Sequence, residues 1–147
     1  MVEIAVVVCT VQEGLKELAA VFYRGRRVLF VDEHTVAAND YSEIDVSQGF
    51  RDRFYGSLAG SGLDVLLVPY NHIDLKVGGL WVALGCYINF LQVGEKIFLP
   101  TFIDPVNDEA AIQRFGEIFG VANIIPVPSR ALAMGGGVLN CLTWENE

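Results

Sequence analysis

Residues 97–128 read IFLPTFIDPVNDEAAIQRFGEIFGVANIIPVP. The stretch opens on an apolar strand near 96–100. Asn107 or Asp108 starts a helix that runs to Phe119. Ile112, Phe115 and Phe119 lie three and four positions apart, the spacing that puts side chains on one face of a helix. Gly120 follows as the helix-ending residue. A further strand, within ANIIPVP, ends at Pro128. Upstream, a strand near 86–92 turns through Gly94 into the strand at 96–100. The order is strand, strand, helix, strand.

The same order occurs once before. Arg53-Phe54 precedes Arg114-Phe115 by 61 positions, and Val36-Ala37-Ala38 precedes Ile97-Phe98-Leu99 by the same offset. LDVLLVP, ending at Pro69, matches ANIIPVP at an offset two residues shorter. This first copy has strands near 27–31 and 34–38, joined through Asp32-Glu33-His34. Its helix covers about 47–58. Ser47 is the N-cap, and Phe50, Phe54 and Leu58 share one face. Gly60 and Gly62 end it. An internal repeat of one supersecondary unit implies an α/β fold of repeated ββαβ modules. The modules lie at 26–70 and 85–128 within a single domain, 1–147. A Gly-rich loop and a short strand at 138–143, carrying Cys141, fill 129–147. The first 25 residues read as a strand (2–9) and a helix (11–23) begun by Thr10 with Glu13, a start atypical of the module.

Composition narrows the function. Hydrophobic residues make up 52% of the chain, enough to build a core. The net charge is −8, and the nearest approach to a basic patch is Arg24, Arg26 and Arg27. That excludes a nucleic-acid surface. The longest uncharged run, 77–94, holds four glycines with Asn89 and Gln92. It reads as a loop and a buried strand, not a membrane span. Cys9, Cys86 and Cys141 are odd in number and widely spaced, without a CxxC pair. They form neither a disulfide framework nor a zinc site, and they fit a reducing, cytoplasmic setting. Gly135-Gly136-Gly137 is followed by no Lys-Ser/Thr pair, so it is no phosphate loop. No metal or cofactor is expected.

The carriers of a resemblance are now in view: EHTVAANDYS (33–42), GCYINFLQ (85–92), IFLPTF (97–102), DEAAIQRFGEIF (108–119) and, most specific, GGGVLNCLTW (135–144). Together they resemble the C-terminal part of the agmatine deiminase and Porphyromonas-type peptidylarginine deiminase family, over about 28–145. The resemblance implies a pentein fold, an α/β-propeller of five ββαβ modules, incomplete in this chain. It implies a cysteine thiolate that attacks a guanidinium carbon, loss of ammonia, and hydrolysis of the thiouronium to a ureido product. Such chemistry needs a thiolate, a histidine to move protons, and carboxylates to clamp the flat guanidinium. By resemblance Cys141 takes the nucleophile's place, and Gly136, Gly137 and Asn140 match positions beside it. The ligand implied is a guanidino small molecule or an arginyl chain.

The departures from the family are specific. The early motif that supplies one substrate aspartate is absent. Where a His-x-Asp motif belongs, ahead of the strand at 27–31, this chain has Tyr23-Arg24-Gly25-Arg26. On a strand, His72 and Asp74 of His72-Ile73-Asp74 would face the same way, like a base beside a guanidinium-binding acid; they follow the third strand of the first module, where the resemblance implies a variable loop. Asp40 is either a substrate contact or a turn acid bonding nearby amides. Cys141 is either an inherited nucleophile or a structural cysteine. His34 reads as a solvated turn residue, and Trp81 and Trp144 as packing residues. Three functions remain: a small guanidino hydrolase completed by a second copy, a non-catalytic oligomer-forming or binding domain descended from one, and an excised piece of a longer reading frame.

Overall fold

The computed structural model describes residues 28–71 and 73–142. The strand expected at 2–9, the helix expected at 11–23, Cys9, His72 and Trp144 lie outside the described residues. Those described fall into two compact units, 28–67 and 68–142.

In the first unit, β1 (Val28–Phe30) and β2 (Thr35–Asn39) pair antiparallel, with Val28 opposite Ala38 and Phe30 opposite Val36. The Asp32 carboxylate accepts the His34 amide at 2.8 Å. That bond above all holds its pKa below the ordinary value. His34 is exposed in this turn. Helix α1 (Gln48–Gly60) begins at Ser47, whose hydroxyl accepts the Phe50 amide at 3.2 Å and satisfies one of the free first-turn donors. Phe54 and Leu58 are buried, and Tyr41 packs edge-on against Phe50 and Phe54 at 5.2 and 5.0 Å. Strand β3 (Asp64–Val68) completes a sheet of order β1-β2-β3.

The second unit holds the second ββαβ set. Strand β6 (Leu91–Val93) pairs antiparallel with β7 (Lys96–Thr101) around Gly94, and β7 pairs parallel with β8 (Ile124–Pro128). A parallel pair needs a crossover, which α2 (Pro105–Phe119) supplies. The helix starts two residues earlier than Asn107. Asp104 is its N-cap and accepts the Asn107 amide at 3.2 Å, and Pro105 fits the first turn, where no N–H is needed. Ala111, Phe115 and Gly116 form its buried face, and Phe90 meets Phe115 edge-on at 5.1 Å. Asp108 reaches back to accept the Phe102 and Asp104 amides and the Tyr87 hydroxyl at 2.8 Å. Burial and that hydrogen bond raise the Tyr87 phenol far above its ordinary pKa.

Smaller elements surround this core. A two-stranded hairpin, β4 (Lys76–Val77) with β5 (Leu80–Trp81), turns through Gly78 and Gly79. Two short helices follow β8: α3 (Arg130–Ala133) and α4 (Leu139–Leu142).

The structure differs from expectation at two further places. The strand expected over 86–92 is confined to Leu91–Val93, and 84–88 is a packed turn. Gly85 has φ 75° and accepts the Asn71 amide, and Cys86 pairs with Tyr70 in an isolated bridge. Tyr87, Ile88 and Phe90 are nevertheless buried, so the apolar run reflects burial and not strand geometry. The strand expected at 138–143 is the helix α4 from Leu139 to Leu142.

Gly85 tests this reading. A Cβ there would overlap the Asn71 carbonyl, whereas Gly94, also at positive φ, faces open space. Gly94→Ala is expected to cost about 1 kcal/mol of unfolding free energy and Gly85→Ala more than about 3 kcal/mol, measured by urea denaturation.

Candidate functional site

Cys141 sits in α4 as an exposed, free cysteine. Asn89, at 6% relative exposure, holds it from the packed turn. The Asn89 side-chain Nδ2 donates to the Cys141 Sγ at 3.0 Å, and its Oδ1 accepts the Cys141 backbone amide at 3.2 Å. The Asn89 backbone carbonyl accepts the Asn140 amide at 3.3 Å. These bonds explain why the segment is not a strand. The amides that would enter a ladder are taken by one asparagine, and the chain coils over it. A carboxamide is suited to this because it carries a donor and an acceptor side by side.

Two glycines shape the approach. Gly136 has φ 87°, and a Cβ on it would lie 3.1 Å from the Trp81 carbonyl. A Cβ on Gly137 would lie 3.1 Å from the Cys141 Cβ and 3.6 Å from its Sγ. One glycine is needed for its backbone angle, the other for space beside the thiol.

The other expected residues are placed as follows. Asp40 belongs to the first unit. Its carboxylate accepts the Ser42 amide at 2.9 Å and the Tyr55 hydroxyl at 3.1 Å, the pattern of an acid closing a turn. The Tyr55 hydroxyl also accepts the Tyr41 amide at 2.8 Å, and partial burial raises its pKa. Asp74 is exposed on a loop ahead of β4, not on a strand. His72 lies outside the described residues. Among the described residues, the hydrogen-bond partner of the Cys141 thiol is Asn89, and no histidine or carboxylate joins it. Asn89 itself went unread in the sequence because one polar residue inside an apolar run carries no motif. The only signal was its place in GCYINFLQ.

Among the described residues no cluster of His, Cys, Asp or Glu is arranged to hold a metal ion. No helix there is long and apolar enough to cross a membrane.

This is a glycine-flanked cysteine on a mixed α/β scaffold, and comparison with known proteins gives its lineage. The chain belongs to the Porphyromonas-type peptidyl-arginine deiminase family, whose sequence profile matches residues 17–146. A Shewanella baltica protein provisionally named agmatine deiminase is 42% identical over 61 residues, which are 42% of this chain and 16% of that protein. A Shewanella frigidimarina relative of the same name is also 42% identical over 61 residues, with the same coverage. Among solved structures, the agmatine deiminase of C. jejuni superposes with a TM-score of 0.61 at 23% identity, over 78% of this chain and 35% of that one. The agmatine deiminase of Enterococcus faecalis gives 0.61 at 17% identity, over 77% and 37%. The chain therefore spans little more than a third of the solved structures it resembles.

Two substitutions separate the donor and acceptor roles of Asn89. Asn89→Ala removes both bonds and leaves the Cys141 amide without its partner, at an expected cost of about 2 kcal/mol in urea unfolding. Asn89→Asp keeps the acceptor but turns an anion toward the sulfur. It is expected to preserve hydrogen-exchange protection of the Cys141 amide while slowing alkylation of Cys141 by iodoacetamide roughly tenfold.

Proposed function

We propose that this chain carries the nucleophile end of a guanidino-group deiminase site and does not by itself complete the catalytic set. Cys141 is the nucleophile by position and Asn89 the residue that orients it. The observation that carries this reading is the two-point hold of a buried carboxamide on an exposed thiol. Family membership and the shared fold support it. The substrate class is a guanidinium: agmatine, arginine or an arginyl peptide.

The chemistry sets the requirements. The Cys141 Sγ, as thiolate, attacks the guanidinium carbon. A C–N bond breaks and ammonia leaves with a proton delivered to it. Water then cleaves the S–C bond and returns the thiolate, leaving a urea. Asn89 orients the sulfur but neither delivers nor removes a proton at neutral pH. Carboxylates that clamp the guanidinium in plane must come from elsewhere. Asp40 is engaged in its turn and Asp74 lies on an exposed loop. The architecture this implies is a pentein-type propeller of ββαβ blades, represented here by two modules and the nucleophile segment. The purified chain is expected to release no ammonia from agmatine, arginine or an arginyl peptide beyond that of Cys141→Ala. Release that depends on Cys141 would replace this reading with that of a complete enzyme.

A second reading, an oligomer-forming or binding domain, is favoured by one observation. The β4–β5 hairpin is a two-stranded sheet with exposed Val77, Leu80 and Trp81. Apolar side chains gathered in water on one hairpin favour association. Two copies, each contributing about half of a ring of blades, form the homo-oligomer this reading describes. Light scattering is then expected to give the mass of a dimer, and a monomer across the concentration range removes this reading.

A further inference from the structure

We infer that a cavity beside the start of α2 binds a small monocarboxylate with an apolar body, independently of any chemistry at Cys141. The cavity measures about 260 Å³ and belongs wholly to the second unit. Ile73, Leu84, Tyr87, Phe102, Ile103 and Pro105 give it mostly apolar walls, as small-molecule sites have. Neither Cys141 nor Asn89 lines it.

Arg130 supplies the recognition. It lines the cavity from the exposed first residue of α3. Among the described residues its guanidinium makes one long hydrogen bond, 3.4 Å to the Phe102 carbonyl, and no ion pair. A guanidinium carries five N–H donors in a planar fork that matches a carboxylate. In a chain of net charge −8, an unpaired arginine at an apolar cavity is an unspent anion partner. The acid in the same wall does not compete for it. Asp104 accepts Asn71 Nδ2 at 3.0 Å, the Asn107 amide at 3.2 Å and Asn107 Nδ2 at 2.7 Å. Those donors, the Asn107 side chain first, hold its pKa below the ordinary value.

Ile103 is the second, independent sign. It is β-branched, has φ 62° and is 76% exposed. A branched side chain in the left-handed region is strained, and such strain gathers at ligand sites. Its exposure to water is a further cost, which an apolar body resting on it removes. A dianion such as phosphate fits worse, since it has no apolar body to rest against the apolar walls. An amine fits worse because it meets the Arg130 cation.

Benzoate is the probe. Titrated into the ¹⁵N-labelled full chain, it is expected to shift the Gly85, Ile103 and Arg130 amides saturably, with a Kd of about 1 mM or tighter. Arg130→Gln is expected to weaken binding at least about tenfold without changing the thermal midpoint, since the side chain is exposed. If that variant fails to fold, Arg130→Lys keeps the charge but not the fork, and intermediate affinity is expected. Benzyl alcohol and benzylamine, of the same shape without the anion, are expected not to saturate. Absence of saturable shifts with benzoate, undiminished binding by Arg130→Gln, or equal binding of benzyl alcohol or inorganic phosphate would each overturn the assignment.

Discussion

One buried carboxamide organises the segment around Cys141. Asn89 is shielded from water and spends its polar groups on two consecutive residues, accepting both the Asn140 and Cys141 amides and donating to the Cys141 sulfur. Leaving those groups unpaired inside the protein would be costly, so the segment after the triple glycine must coil over the asparagine. That requirement converts a stretch of strand-like composition into a helical turn. It also presents the thiol outward while fixing the atoms behind it.

The turn that carries Asn89 is itself fixed from its other end. Gly85 takes a backbone angle that side chains avoid and lies against the Asn71 carbonyl. Tyr87, buried, sends its hydroxyl to Asp108, which also receives the amides at the start of α2. The first turn of the crossover helix, the packed turn and the cysteine segment are thus linked through named polar contacts. The apolar residues among them, Ile88 and Phe90, supply the burial that makes those contacts worth forming.

Much of the scaffold was legible beforehand because it is local. The hairpin of β1 and β2, the Ser47 cap, the buried Phe54 and Leu58, and the strand–helix–strand of β7, α2 and β8 follow from periodicity, capping chemistry and glycine placement. Family membership was legible from the run ending in Cys-Leu-Thr-Trp. Two readings failed for a common reason. Residues 86–90 are as apolar as a strand and as buried, yet a glycine at positive φ and a contact to Asn71 bend them into a turn. Val138 is buried, but Asn140 and Cys141 pair with Asn89 instead of a ladder.

What the sequence determined by itself, then, is the repeated ββαβ order, the caps and ends of its helices, and the family to which the chain belongs. Each depends on residues within a few positions of one another. The tertiary structure alone decided that Asn89 is the partner of Cys141, 52 positions away, that Asp40 closes a turn, and that Arg130 meets an apolar cavity. Hydrogen bonding between distant residues leaves no periodic trace in a chain. It is set by which buried donors and acceptors folding brings within about 3 Å of each other.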